Sequence, residues 1–329
     1  MIVAVASGKG GTGKTTISAN LAKSFDTEVQ LLDCDVEEPN VHLFLKGTAV
    51  EEEEVPILVP EVDEALCDGC GECGAFCRFH AIVSFGAKPL VFPDLCHGCG
   101  GCAKVCPRES IREKGHRIGV VGTMRADRIT LIHGRLDVGA PMAPPLIRAV
   151  KARMRKDVPA ILDAPPGTSC PVIATIGGSD FVLLVTEPTP FGLNDLKMAV
   201  EMVRDLGVPF GVAVNRAGAG DDRVHAHCRA EGIPILLEIP EDRAIAESYS
   251  RGEMIVDSLP RYRPLFEGLA RRLRETIRSG GIHTPGRSHN RSCQGRFRRR
   301  ENGCALELHG KTCCGLDRRC GKPPCEDEW

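Results

Sequence analysis

Two groups of residues have the types and spacing to do chemistry. Cys67, Cys70, Cys73 and Cys77 follow C-x2-C-x2-C-x3-C, and Cys96, Cys99, Cys102 and Cys106 repeat that spacing, with Pro107 next. Two complete sets of four thiolates suit two cubic 4Fe-4S clusters, and the small residues between them let backbone N–H groups approach the sulfurs. A pair of structural zinc sites is the rival reading, since C-x2-C also serves Zn²⁺. His80 and His97 read as surface or hydrogen-bonding residues rather than ligands. Arg78 stands in the first run where Pro107 stands in the second, which bears on turn geometry and not on ligation.

The second group is Ser7-Gly8-Lys9-Gly10-Gly11-Thr12-Gly13-Lys14-Thr15-Thr16, directly after the apolar run Ile2 to Ala6. Gly8, four residues, then Gly13-Lys14-Thr15 satisfies the phosphate-loop pattern. The glycines let successive N–H groups converge on phosphate oxygens, and the helix that follows adds the positive end of its dipole. Lys14 is expected to reach the β- and γ-phosphates of ATP, and Thr15 to hold Mg²⁺ through its hydroxyl. A dinucleotide site has no use for the Lys14-Thr15 pair.

The second lysine, Lys9, narrows the class. A loop of the form x-K-G-G-x-x-K-[ST] resembles the deviant Walker A motif of the MinD/ParA family, which includes the nitrogenase iron protein and Mrp-type cluster carriers. The resemblance implies that Lys9 reaches the nucleotide across an ATP-dependent dimer. Leu31-Leu32-Asp33-Cys34-Asp35 looks like the family's D-x-D element. That makes Asp35 the residue orienting the attacking water, and Asp33 a Mg²⁺-shell or loop-ordering residue. Ala160 to Gly167 resembles Walker B, with Asp163 near Mg²⁺ and Gly167 in the switch that senses the γ-phosphate. Asn215 matches the adenine-reading residue, and Pro240, Glu241 and Asp242 match the loop that closes over the base.

The cysteine runs resemble a bacterial ferredoxin, in which the fourth cysteine of each run serves the other cluster. The resemblance implies one cluster on Cys67, Cys70, Cys73 and Cys106 and another on Cys77, Cys96, Cys99 and Cys102. A MinD-type ATPase with such an insert resembles a recognised group, P-loop ATPases with an inserted ferredoxin domain, and Thr186 to Gly192 is similar to that group as well. Cys170, seven residues after Asp163, is a speculative bridging ligand by analogy with the nitrogenase iron protein; a small, partly buried thiol is the plainer reading. Cys34, between two aspartates, reads as filler.

These sites need elements to position them. Apolar runs at Ile2 to Ala6, Val29 to Leu32, Ile129 to Ile132, Ala160 to Leu162, Phe181 to Val185 and Phe210 to Val214 alternate with helix-like segments. Such runs indicate a mostly parallel sheet covered on both faces, the doubly wound α/β fold of P-loop NTPases, here with an inserted α+β ferredoxin-like domain. The expected division is residues 1–55 and 117–278 for the ATPase, 56–116 for the insert and 279–329 for a poorly ordered tail. The acidic run Glu51 to Glu54 reads as a solvated connection.

Composition sets the limits. The chain has 329 residues, enough for about two domains, with 26% charged and 4% aromatic residues. The net charge of -2 hides an asymmetry: residues 279–329 hold 10 Lys/Arg and 6 Asp/Glu, a net of +4, which leaves the body at -6 with no general electrostatic reason to bind nucleic acid. With no long apolar segment at the start or elsewhere, the expected location is the cytoplasm. Of the 17 cysteines, six lie after residue 290 without metal-site spacing.

The expected function is an ATP-hydrolysing iron-sulfur protein whose nucleotide-driven dimer and switch changes are coupled to electron transfer through two 4Fe-4S clusters. The alternatives are an ATP-gated carrier or scaffold for clusters or metallocofactors, and a spatial-positioning ATPase. The expected partners are a second copy or a related ATPase, and a redox or metallocofactor protein, with no clear nucleic-acid or membrane partner.

Overall fold

A computed structural model describes residues 1–85 and 88–279, together with the backbone of Glu307–Leu308 and Lys311–Thr312. Two compact units are present, residues 1–287 and 288–329. In the second, the described residues form one antiparallel pair, Glu307–Leu308 with Lys311–Thr312. The other tail residues, including its six cysteines, lie outside the described part.

The first unit runs β1 (Ile2–Ala6), α1 (Lys14–Lys23), β2 (Val29–Asp33), β3 (Thr48–Val62), α2 (Glu72–Phe76), β4 (Ile82–Val83), β5 (Leu90–Val91) and α3 (Gly101–Val105). It continues with β6 (Ile111–Ala126), β7 (Ile129–Leu136), α4 (Pro144–Ala152), β8 (Ala160–Asp163), α5 (Cys170–Ile176), β9 (Phe181–Thr186) and α6 (Pro190–Leu206). It closes with β10 (Phe210–Ala217), α7 (Arg223–Ala230), β11 (Ile235–Pro240), α8 (Arg243–Ser250), α9 (Ile255–Ser258) and α10 (Arg263–Arg278).

Nine strands form one sheet in the order β11-β10-β9-β1-β8-β2-β7-β6-β3. From β11 to β7 the pairs are parallel; β6 and β3 add antiparallel at the edge. The central strands are buried along their whole length because helices cover both faces, as continuous apolar runs require. On one face Phe266, Leu269 and Leu273 of α10 share a buried cluster with Val5, Phe181 and Leu237 of the sheet. Full burial of such a side chain contributes about 1.5–3 kcal/mol relative to exposure.

The strand order places β8 and β9 on either side of β1, so the loop after β1 sits where connections leave in both directions. In open α/β sheets this is where ligands bind, beyond the carboxyl ends of the strands.

One expectation is corrected. Glu51 to Glu54 is not a connection but part of β3, which pairs with β6 from Thr48↔Arg125 to Val62↔Ile111. The glutamates are exposed on an edge strand and pair with Arg117, Arg135 and Arg153. Charge on an edge discourages further strand addition, which explains why a sheet edge carries so little apolar sequence. The ribbon of β3 and β6 presents the cysteine region at its far end, and its register shifts between Val55 and Pro56. A proline without an N–H is tolerated at an edge or bulge. Among the described residues no helix is long and apolar enough to cross a membrane.

Candidate nucleotide site and cysteine centres

The phosphate loop follows β1 and ends in α1. Gly13 caps α1 in left-handed backbone (φ 91°), no side chain caps the helix, and its first turn holds no acidic residue. The first N–H groups of α1 are therefore left to an external acceptor, and the dipole makes a phosphate the fitting one. A Cβ at Gly13 would strike the Asn215 amide, and one at Gly8 the main-chain carbonyl of Asp195 in α6. Both glycines are required by close approach.

Lys14 is buried at the start of α1. Burial lowers its pKa, while the charges of Asp163 and Asp35 raise it, so the ammonium faces two carboxylates. Thr15 Oγ1 donates to Asp163 Oδ2 (2.6 Å), and Ser18 Oγ donates to Asp163 Oδ1 (2.9 Å). Ser18, one turn on from Thr15, was not singled out in the sequence; only its i+3 spacing from Thr15 marks it.

Asp33 and Asp163 stand opposite each other across β2 and β8. Both are fully buried and burial pushes both carboxyls up, Asp33 further through the Asp163 charge. Asp33 accepts from the backbone N–H groups of Asp35 (3.2 Å), Asn40 (3.0 Å) and Val41 (3.1 Å). Of the two roles expected for Asp33, loop ordering is the one these bonds perform. Two buried carboxylates beside a threonine hydroxyl are an all-oxygen donor set that suits Mg²⁺, with Thr15 and Asp163 the residues facing the loop.

Asp35 lines a hollow with Cys34, Glu37, Pro165, Pro166 and Ser169. Its carboxyl is pushed up to about 6, chiefly by burial, with Lys14 pulling it down and Asp163, Glu38 and Glu37 adding to the rise. Gly167 donates its N–H to the Ser7 carbonyl (3.0 Å), joining the switch segment to the phosphate loop. Burial and the Asp33 charge push the Cys34 thiol far up, as filler requires. Cys170 is exposed in the first turn of α5.

The base-side residues divide. Asn215 Nδ2 donates to the Thr12 carbonyl (2.9 Å), tying the end of β10 to the phosphate loop. The Glu241 N–H bonds the Ala217 carbonyl, holding the Pro240 end of β11 beside β10. Asp242 caps α8 through the Ala244 N–H (2.8 Å) and also accepts from Tyr262 Oη (2.6 Å) and Arg261. These bonds, Tyr262 first, hold its carboxyl down at about 2. Lys9 pairs with Glu187 (3.8 Å), a nearly buried carboxylate that sequence reasoning did not single out.

The cysteine region repeats itself at an interval of 29 residues. Gly69, Gly71 and His80 adopt left-handed backbone in the first half, and Gly98, Gly100 and Glu109 do so at the matching places in the second. Cys77 and Cys106 leave α2 and α3 with nearly the same backbone, φ -73° and -72°. Arg78 in place of a proline therefore does not change the first turn. Cys67, Cys70, Cys73 and Cys106 line one hollow with Ser84, Ser110 and Ile111. The Cys96 thiol is pushed up by burial and feels Cys99 and Cys77, and Cys102 feels Cys96 and Cys99. The fourth cysteine of each run thus lies with the other run.

Among the described residues no three such side chains converge on a point as ligands of a single ion do. Ligands of a four-iron cube do not converge either, since each binds its own corner. Gly98 N–H points at Cys96 Sγ (3.4 Å) and Ser110 Oγ lies 3.2 Å from Cys106 Sγ, the kind of polar contact that cluster thiolates accept. The residues fit the clusters.

Residues 3–255 match the model of the CobQ/CobB/MinD/ParA nucleotide binding domain. An uncharacterized protein of Methanocaldococcus jannaschii is 34% identical over 261 residues, covering 77% of this chain and 90% of that one. An iron-sulfur cluster carrier protein of Aquifex aeolicus is 28% identical over 284 residues, covering 79% of this chain and 62% of the carrier. Among solved structures, the septum site-determining protein MinD of Pyrococcus horikoshii, complexed with Mg-ADP, shares 20% identity at a TM-score of 0.51 and covers 83% of this chain and 95% of its own. With an uncapped helix behind a lysine-bearing phosphate loop, and a mostly parallel P-loop sheet, this chain belongs to the CobQ/CobB/MinD/ParA family of nucleotide-binding domains.

Proposed function

We propose that this chain hydrolyses ATP and couples the resulting change of state to electron transfer through two 4Fe-4S clusters. The observation that carries the coupling is a hydrogen-bonded path from the nucleotide site to the ribbon. Asp35 leads into Val36, whose carbonyl accepts from Leu136 N–H (2.8 Å), and the next residue, Asp137, donates its N–H to Ile118 of β6 (2.8 Å). Val36 also shares a buried cluster with Ile57 and Val59 of β3 and with Cys96. A shift in the loop that Asp33 orders would move the base of the ribbon that bears the cysteines.

In this reading residues 1–55 and 117–278 act as the ATPase and residues 56–116 as the electron-carrying insert. ATP closes two copies face to face, or one copy on a related ATPase, and Lys9 reaches the nucleotide bound by the partner. Gly8 to Thr16 hold the phosphates, Lys14 neutralises the β- and γ-oxygens, and Thr15 and Asp163 hold Mg²⁺. Asp35 orients water, Gly167 senses the γ-phosphate, and Asn215 with the Pro240–Glu241–Asp242 turn borders the base. Cys67, Cys70, Cys73 and Cys106 would hold one cluster and Cys77, Cys96, Cys99 and Cys102 the other. When bound, each cluster supplies one-electron storage.

A stopped-flow measurement tests this reading: the reduced protein is mixed with an artificial one-electron acceptor in MgATP, in MgADP and without nucleotide. The oxidation rate should differ in MgATP alone. Equal rates in all three would contradict the coupling and favour an ATP-gated cluster carrier, the reading supported by the likeness to the Aquifex aeolicus carrier and by the exposed Cys170.

The Asp35 carboxyl gives a pH dependence. Orienting water needs the ionised form, and the carboxyl titrates at about 6 in the free protein. ATPase kcat/KM should therefore fall about tenfold per pH unit below 6 and level off above it. Asp35→Asn should be slow at every pH, with that slope gone. Stability has the opposite sign: a raised carboxyl binds its proton more tightly in the folded chain, so ionising it between about pH 4 and 6 costs stability.

A further inference from the structure

We propose that Glu187 is a latch that holds Lys9 on its own subunit and that Arg216 sets how easily it lets go. The inference rests on the reading that Lys9 acts across a nucleotide-bound dimer.

Glu187 follows β9 and is 8% exposed. Its Oε2 lies 3.8 Å from Lys9 Nζ and its Oε1 lies 3.2 Å from Arg216 Nη1. The backbone that carries this carboxylate is fixed in place. Thr189 N–H bonds the Glu187 carbonyl (2.8 Å), Thr186 Oγ1 donates to the Gly192 carbonyl (2.9 Å), and a Cβ at Gly192 would strike the Glu187 carbonyl. Lys9 can move, because it sits at the exposed front of the phosphate loop with its side chain 36% exposed.

A buried carboxylate stripped of every cation is costly. Arg216 prevents that: when Lys9 leaves for another subunit, Glu187 keeps one partner. Arg216 is itself held in an unusual way, with a backbone φ of 52° that a long side chain rarely adopts. Its N–H bonds Asn215 Oδ1 (3.0 Å), and Asn215 Nδ2 bonds the Thr12 carbonyl. Backbone strain of this kind persists where surrounding structure enforces it, and it marks candidate functional positions. The chain Thr12, Asn215, Arg216, Glu187, Lys9 thus runs from the middle of the phosphate loop to its front by way of the base-side strand.

The latch makes two predictions of opposite sign. Removing the Glu187 charge frees Lys9, and removing Arg216 leaves Lys9 as the sole partner of a buried charge, which tightens the hold. Two readouts on the full chain test it. The first is the rate of Lys9 acetylation by acetic anhydride in nucleotide-free protein, followed by mass spectrometry. Glu187→Gln should raise it and Arg216→Gln lower it, each by up to about fivefold, the range of a partly exposed ion pair. The second is self-association by sedimentation with a non-hydrolysable MgATP analogue. Glu187→Gln should strengthen it and Arg216→Gln weaken it by similar factors. Arg216 is exposed, so its variant tests the latch even if Glu187→Gln fails to fold.

Acetylation unchanged, or shifted the same way by both variants, overturns the latch. Altered acetylation with unaltered association in a protein that does dimerise overturns its role in dimer formation. Wild-type protein that does not associate at all overturns the dimer reading instead, and acetylation alone then decides whether Glu187 holds Lys9.

Discussion

Lys14→Ala should abolish ATP turnover, lowering kcat/KM by at least about 10²–10³-fold, while iron per chain stays at the wild-type level. The size of the effect follows from the surroundings of the lysine. Lys14 is buried at the mouth of an uncapped helix, facing Asp163 and Asp35. Its loss takes away the cation that faces both carboxylates and that neutralises phosphate oxygens in a phosphate loop. The iron should be indifferent because the cysteine region has its own small apolar centre of Cys73, Ile82 and Ile111. Its link to the nucleotide site runs through the ribbon rather than through Lys14. ATPase assay and iron determination on one preparation check both halves. Iron lost together with turnover would mean that the two regions share stability through the cluster joining Val36 to Cys96.

Cys106→Ser should remove the same iron as Cys73→Ser, and Cys77→Ser the same iron as Cys102→Ser. Each substitution should take about half of the total. Neighbours in sequence are thus expected to behave differently, and residues more than 20 positions apart alike. The reason is spatial: Cys106 lines the hollow of Cys67, Cys70 and Cys73, and the Cys77 charge acts on Cys96. The residual EPR spectra of anaerobically prepared variants decide it. Matching spectra for Cys106→Ser and Cys102→Ser would place each cluster within one run and overturn the crossed assignment.

What could be read in the sequence followed from how local the signal is. The phosphate loop spans ten consecutive residues and the cysteine runs eleven each, so spacing alone exposed them. The central strands were legible because a strand buried on both faces has a continuous apolar sequence. The ribbon was not, because β3 carries Glu51 to Glu54 and two prolines, and β6 carries Gly115, Gly119 and Gly122. Its stability comes from pairing between residues 49 to 77 positions apart, which no window sees. For the same reason the choice between two roles for Asp33 needed the three N–H groups that converge on it. The bonds from Tyr262 and Arg261 to Asp242 lay beyond the same reach. Glu187 was hidden more thoroughly, since its partners at positions 9 and 216 meet only in the folded sheet.

The central claim is that nucleotide binding and cluster redox state are coupled. The most direct test is an EPR-monitored redox titration of anaerobically purified protein with and without a non-hydrolysable MgATP analogue. If the loop ordered by Asp33 moves the ribbon, the midpoint potential of at least one cluster should shift by more than about 60 mV, tenfold for one electron. Potentials that coincide with and without the nucleotide would contradict the account.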